Sequence, residues 1–349
     1  MASSTSDTTT ESMATTESSS EGGPRPTIVI LDGYTTNPGD LSWDGLARLG
    51  DLTVYERTAP NEVAERVADA DVIVSNKVVW TADLLREAKR CRMIELLSTG
   101  YNVVDLDVAN ELGITVCNVP AYSTPDVAQH AFALILETTN HVNDYSESVR
   151  LGNWVTSRDF TYYIDPLMEL RGKTLGIIGM GSIGTLVSDI AAAFGMEVLF
   201  ENPSEKPELE NEHRKQVDLD RLLADSDIVS LHCPSTPETD GMVDAGFLAR
   251  MRPGARLVNT ARGALIDSQA IADALESGHL GWYAADVAEE EPMGKDDPLR
   301  TANHSIITPH IAWATKEARE RLVAQATRNV SCFLSGRPTN VVPPSKPSA

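Results

Sequence analysis

Gly172-Lys173-Thr174-Leu175-Gly176-Ile177-Ile178-Gly179-Met180-Gly181-Ser182-Ile183-Gly184 is the stretch that decides the fold of this chain. The β-branched pair Ile177 and Ile178 ends an apolar run that reads as a buried strand, and three glycines follow at once. A helical pattern then runs over Thr185–Phe194, with Leu186, Val187, Ile190, Ala191 and Phe194 on its apolar stripe. Strand, glycine turn and helix in this order make a dinucleotide site. Gly179 permits the tight turn, Gly181 lets a pyrophosphate approach the backbone, and Gly184 lets the helix pack on the strand. Ser182 and Ile183 stand at the helix start, where free N–H groups and the positive end of the helix hold phosphates. A glycine triplet alone is weak evidence, but here a second strand at Glu197–Phe200 completes the unit.

On either side of this unit the chain keeps alternating. Before it, strand-like runs at Thr27–Asp32, Leu52–Glu56, Val72–Ser75, Met93–Leu97 and Thr115–Val119 are separated by helical patterns at Trp43–Leu49, Asn61–Ala68, Thr81–Lys89 and Val104–Leu112. These predict a small doubly wound sheet. Pro120 and Pro125 punctuate its end, and one long helix is expected from about Asp126 to Val149. After the glycine unit come strands at Ile228–Leu231, Arg256–Asn259, Tyr283–Asp286 and Ser305–Thr308, then a last helix at Thr315–Phe333. The expected fold is α/β, with two doubly wound parallel sheets and the last helix returning to the first of them. Residues 1–26, almost all Ser, Thr, Glu, Ala and Gly before Pro24-Arg25-Pro26, read as a disordered extension. No separate regulatory domain is expected after about residue 345.

The formal net charge of −22 argues against nucleic acid or an anionic membrane as partner, since both are met by basic patches. Two readings of the acidity stand, a surface adapted to a salt-rich cytoplasm and an ordinary acidic protein. The four cysteines, Cys91, Cys117, Cys233 and Cys332, have no paired spacing that would indicate a metal site or a disulfide framework. Cys91, Cys117 and Cys332 fit apolar patterns as small core residues. Neither a bilayer-length apolar run nor a signal-peptide pattern occurs, so a soluble, cytoplasmic protein without a metal is expected.

Three segments end strands with chemistry-bearing side chains: Val258-Asn259-Thr260-Ala261-Arg262-Gly263, Asp286-Val287-Ala288-Glu289-Glu290-Glu291-Pro292 and Thr308-Pro309-His310-Ile311-Ala312-Trp313. Ligands of doubly wound sheets bind beyond the carboxyl ends of the strands, so Arg, Glu and His would converge there. Singly, each has an ordinary structural reading: Arg262 pairing with an acid, Glu291 solvated, His310 capping a helix.

From Thr27 onward the chain resembles the D-isomer-specific 2-hydroxyacid dehydrogenases. Leu31-Asp32-Gly33-Tyr34, Asn37-Pro38-Gly39-Asp40-Leu41-Ser42-Trp43, Leu97-Ser98-Thr99-Gly100-Tyr101-Asn102, Cys117-Asn118-Val119-Pro120-Ala121-Tyr122 and Val127-Ala128-Gln129-His130 are most similar to the glycerate dehydrogenase (hydroxypyruvate reductase) branch. The resemblance implies a cofactor domain over residues 122–310, inserted into a flavodoxin-like substrate domain built from 27–121 and 311–345. It puts Arg262, Glu291 and His310 at the family's three catalytic positions, and it implies a homodimer around the Asp126–Val149 region.

The chemistry fits those residue types. An arginine fork suits the carboxylate of a 2-oxo acid while polarising its carbonyl. Histidine is a natural proton donor near neutrality, and a neighbouring glutamate would orient it and favour its charged form. By the resemblance, Thr99 and Gly100 belong to the loop that grips the substrate carboxylate. His232, Cys233, Pro234, Thr260, Ala261 and Asp286 match cofactor contacts, and Arg262, His310, Ala312 and Trp313 border the same site. Because His232 falls in the cofactor loop, His310 is preferred as the acid.

One departure concerns the cofactor. Phe200-Glu201-Asn202-Pro203 places Asn202 where NAD-preferring relatives carry an acid, with Glu201 adjacent and Lys206 nearby. An acid there binds the ribose 2′-hydroxyl and repels a 2′-phosphate. NAD is the expected cofactor, with NADP open. The expected activity is reduction of hydroxypyruvate or glyoxylate, or oxidation of D-glycerate. The alternatives are a 3-phosphoglycerate dehydrogenase-like enzyme and a nucleotide-sensing corepressor-like binding protein; formate or phosphite oxidation ranks below these.

Overall fold

The computed structural model describes residues 24–344. Five strands, β1 (Thr27–Ile30), β2 (Asp51–Val54), β3 (Val72–Ser75), β4 (Met93–Leu96) and β5 (Thr115–Cys117), form one sheet in the order β2-β1-β3-β4-β5. Seven more form a second sheet: β6 (Thr174–Ile178), β7 (Glu197–Glu201), β8 (Arg214–Gln216), β9 (Ile228–Leu231), β10 (Ala255–Asn259), β11 (Leu280–Ala285) and β12 (Ser305–Ile307). Its order is β12-β11-β10-β9-β6-β7-β8. Every pairing within the two sheets is parallel. The central strands β3, β4, β9 and β10 are buried along their whole length, which is why they are mostly apolar in sequence, with only Ser75, Glu95, Ser230, Arg256 and Asn259 breaking the pattern. The order reverses between β1 and β3 and again between β6 and β9, which opens a crevice at the carboxyl ends of each sheet.

The last helix, Lys316–Leu334, lies on the first sheet. Its Ala318, Leu322, Ala326 and Val330 pack with Ile28, Ile30, Val72, Val74 and Met93. Arg319, buried at the start of this helix, clamps Asp40 with two bonds of 2.7 and 2.8 Å and also donates to Thr36 O. That guanidinium holds the Asp40 carboxyl below its usual value. The chain then turns back beside β5, where Val341 pairs antiparallel with Cys117 and Val342 N donates to Val116 O.

Three expectations need correction, and one strand is added. The extension read over residues 1–26 ends earlier: Arg25 donates to Ala47 O, Gly50 O and Asp51, and Pro26 O accepts from Asp51 N, so both belong to the sheet edge. Residues 1–23 lie outside the described residues. The helix expected over Asp126–Val149 is two helices, Thr124–Asn140 and Val142–Arg150. The break is at His141, which takes a left-handed conformation (φ 51°) while its ring is fully buried against Trp282. Strand β8 escapes sequence patterning because Arg214-Lys215-Gln216 is a polar edge strand. Cys332 is only half-buried, whereas Cys91 and Cys117 are core residues as expected.

Glu95 is fully buried in β4, where Asn329 of the last helix donates to its Oε1 (2.9 Å) and its Oε2 has no partner. Burial lifts its carboxyl well above the ordinary 4.5, although the Asn329 bond pulls the other way. A raised carboxyl stabilises the fold fully below the unfolded value and loses that stabilisation as pH rises through the folded value. Glu95→Gln, which cannot ionise, is therefore expected to gain stability relative to the parent as pH rises from mildly acidic to alkaline. Urea unfolding of both proteins across that range checks it, and parallel stability curves would contradict it.

Candidate active site

The glycine turn has the steric form the sequence requires. Gly179 sits at φ 96°, and a Cβ there would lie 2.5 Å from Cys233 N. A Cβ on Gly184 would lie 2.4 Å from Gly179 O and 3.1 Å from Ile177, so the helix Ser182–Ala193 could not approach β6. Gly181, the N-cap of that helix, has open space where its Cβ would be and no side chain capping the helix end. Thr260 Oγ1, one residue past β10 at the same carboxyl edge of the sheet, is buried without a protein partner. An open glycine before an uncapped helix start fits a dinucleotide pyrophosphate, and the orphan hydroxyl at the same sheet edge is free to meet another part of the dinucleotide.

Asn202, one residue past β7, accepts from Met180 N of the glycine turn (3.2 Å) and donates to Ser204. Glu201 is half-buried, its carboxyl pushed up by burial, and its carbonyl accepts from Gly179 N. Between the two, Asn202 is the side chain that touches the turn. The Cys233 thiol is pushed up to about 11 by burial and is no reactive thiolate. Burial pushes His232 down to about 4, and its Nε2 meets Ser230 Oγ at 2.9 Å. A neutral imidazole there is a poor proton donor, which leaves the acid role to another residue. Pro234 O accepts from Thr239 Oγ1, which shapes the same loop.

His310 Nδ1 lies 2.7 Å from Glu291 Oε2. Glu291 feels burial, which raises its carboxyl, but the His310 bond, the His310 and Lys77 charges and the Ala288 N–H outweigh that and hold it below its ordinary value. Lys77 reaches across from the loop after β3, its Nζ 3.8 Å from Glu291 Oε2. That loop is fixed by Asp32, which accepts from Asn76 N and Lys77 N at 2.7–3.0 Å. Arg262, after β10, donates Nη1 to Ala261 O, and a Cβ on Gly100 would lie 3.1 Å from its Nη2. Asn118 holds the Thr99–Gly100 loop by donating to Thr99 O (2.7 Å), and Ser98 Oγ donates to Gly100 O. The second sheet's Arg262 thus meets the first sheet's Thr99–Gly100 loop. A broad cavity reaches Lys77, Glu291 and His310.

Two expected cofactor residues also make contacts within the protein. Asp286 is buried, and its carboxylate accepts from Thr308, Ile311 and Ala312. Trp313 sets its ring edge-on to Tyr122 (6.4 Å between centroids) and packs on the core of the first sheet. Lys77 and Asn118 were passed over in the sequence. What singles them out is contacts between distant residues, among them Lys77 N to Asp32 and Asn118 to Thr99, which join residues 45 and 19 apart.

The glycines can be tested one against another. Gly184→Ala is expected to lower the melting temperature, because its Cβ meets backbone. Gly181→Ala should leave melting unchanged and weaken NADH binding, read by titrating the fluorescence of bound NADH. Parental affinity in Gly181→Ala would overturn this reading of the turn.

Residues 132–312 match the family model described as D-isomer specific 2-hydroxyacid dehydrogenase, NAD binding domain. A hydroxypyruvate reductase of Blautia hydrogenotrophica is 45% identical over 318 residues, covering 90% of this chain and 99% of the relative. A glycerate dehydrogenase of Methylorubrum extorquens is 38% identical over 82% of this chain and 90% of its own length. The solved D-lactate dehydrogenase of Aquifex aeolicus, complexed with NAD and lactic acid, superimposes with a TM-score of 0.77 at 30% identity, covering 89% of this chain and 96% of that one. With its glycine turn, strand orders and paired histidine and glutamate, the chain therefore belongs to the D-isomer specific 2-hydroxyacid dehydrogenase family, NAD(P)-dependent oxidoreductases acting on a CH–OH group.

Proposed function

We propose that this protein reduces hydroxypyruvate or glyoxylate, and oxidises D-glycerate in the reverse direction, with His310 as acid and base. The observation that carries the residue assignment is the 2.7 Å pair of His310 Nδ1 and Glu291 Oε2, with Arg262 beside Gly100. The substrate class follows from the hydroxypyruvate reductase and glycerate dehydrogenase relatives. Bound NADH supplies the hydride that goes to the carbonyl carbon. Arg262 binds the carboxylate with its planar fork and polarises the carbonyl oxygen, and the Thr99–Gly100 loop offers backbone N–H groups to the same carboxylate. His310, fixed through Nδ1 by the ionised Glu291, delivers a proton from Nε2 to the carbonyl oxygen. Asn202, being uncharged, neither repels a 2′-phosphate nor pairs with it, so the preference for NADH over NADPH is moderate. Residues 27–121 and 311–345 would form the substrate domain and 122–310 the cofactor domain. Separate apolar cores under the two sheets support that division.

A cytoplasmic homodimer completes the proposal. The apolar face of Thr124–Asn140 is taken up by the protein's own second sheet, whereas Val142 and Val149, on the second helix of the Asp126–Val149 region, are exposed. Exposed apolar side chains gather just after Thr124–Asn140: Val142, Leu151, Trp154, Val155 (87% exposed), Phe160 (89%) and Tyr163. Bonds from Tyr162 to Ser148, from Trp154 to Phe160 O and from Ile164 N to Tyr145 hold this segment in place with its apolar side outward. Such a patch is what a self-complementary interface buries. The cysteines are free, and no described helix is long and apolar enough to cross a membrane.

A panel of 2-oxo acids assayed with NADH and then NADPH tests the activity. Hydroxypyruvate or glyoxylate should turn over best, and NADH should be the better donor. His310→Ala should lose about a hundred- to ten-thousand-fold in kcat with cofactor affinity nearly unchanged. Arg262→Lys should raise the KM for the oxo acid and lower kcat, because an ammonium has no fork. Near-parental turnover by His310→Ala would sink the assignment.

Light scattering at micromolar concentration should give a dimer mass, and Phe160→Asp should shift it toward the monomer. A monomeric parent would end the dimer proposal.

A further inference from the structure

His310 stands in a left-handed conformation (φ 54°), which is strained for a residue with a side chain and persists only when its surroundings impose it. Besides Glu291 on its ring, one buried carboxylate holds its backbone. Asp286 Oδ1 accepts from Ile311 N (2.8 Å) and Oδ2 from Ala312 N (2.7 Å), so both residues that follow His310 are anchored to it. Thr308, two residues before His310, donates its hydroxyl to Asp286 Oδ1 at 2.6 Å, and His310 N returns to Thr308 O. The turn that carries the proposed acid is thus gripped on both sides by Asp286.

The chain of bonds does not end there. His130 Nε2, on the helix Thr124–Asn140, lies 2.9 Å from Thr308 Oγ1 and 3.6 Å from Asp286 Oδ1. A hydroxyl has one proton. Ala285 O, at 3.3 Å, is the more distant acceptor, so that proton goes to the carboxylate. His130 Nε2 must therefore carry a hydrogen and donate it to Thr308. We propose that His130 is a positioning residue for His310, acting through Thr308 and Asp286. It lies in the motif Val127-Ala128-Gln129-His130, for which the catalytic assignment has no use. The helix that bears it joins the two sheets, and Ala128, Ala131 and Phe132 on either side of His130 pack under the second. The relay thus ties the orientation of the acid to the element connecting the sheets.

The inference rests on the proposed role of His310 and is tested in two ways. In the oxo-acid assay, His130→Ala and Thr308→Val should each lose roughly tenfold to a hundredfold in kcat, the scale of a small misplacement of a reacting group. The KM for NADH should hardly move. Thr308→Ser, which keeps the hydroxyl, should recover most of the rate. Because the two residues act in series, the double variant should be no worse than the poorer single one. Parental kcat in His130→Ala, or losses that multiply in the double variant, would overturn the relay. The second arm needs no activity: a crystal structure of Thr308→Val should show the turn at 308–312 displaced and the His310–Glu291 bond lengthened. An unchanged turn refutes the proposal. If the parent reduces no 2-oxo acid, the functional reading falls and the crystallographic arm still decides the relay.

Discussion

A single buried carboxylate organises the carboxyl edge of the second sheet. Asp286 follows β11, its own N–H donates to Asn259 O at the end of β10, and its oxygens hold the residues that follow β12. A carboxylate away from water is tolerated only when its oxygens are met by donors, and the donors here all lie on the segment leaving β12. Satisfying one charge therefore ties the end of β11 to the segment that follows β12. The proposed acid, His310, hangs from that segment and the proposed substrate arginine, Arg262, follows β10.

The Glu291–His310 pair shows how the two sheets share one site. Glu291 and His310 come from the second sheet and Lys77 from the first, and both partners hold the Glu291 carboxyl below its ordinary value. Lys77 owes its position to Asp32, whose carboxyl burial has raised even though the Asn76 and Lys77 N–H groups favour its charged form. Arg262 and Gly100 meet in the same way, one from each sheet.

The first sheet would be incomplete without the end of the chain. The helix Lys316–Leu334 covers the face formed by Ile28, Ile30, Val72 and Val74, and Arg319 fastens it to Asp40. Asn329 then ties together Glu95, Asn118 O and Asn340, and Asn118 in turn holds Thr99. The loop proposed to grip a substrate carboxylate is thereby supported from the far end of the sequence. This explains why the cofactor unit can stand in the middle of the chain: the last helix closes the first sheet after the second is complete.

The sequence by itself determined the elements whose physics is local. Glycines at 179, 181 and 184 were legible because a left-handed turn, an open approach and a close helix–strand contact each exclude a side chain. The central strands were legible because burial on both faces demands apolar runs, and Arg262, Glu291 and His310 stood out by following such strands. Only the tertiary structure decided the rest. The helix breaks at His141, whose buried ring packs on Trp282 of a distant strand, and no periodicity marks it. β8 is an edge strand with no buried face to pattern. Lys77, Asn118 and His130 carry no motif chemistry of their own. Their importance arises from partners that folding brings near, in the case of His130 and Thr308 across 178 residues of chain. Steric demands on a residue's own backbone are written where it stands, whereas a hydrogen bond between distant residues exists only once the sheets have brought both ends together.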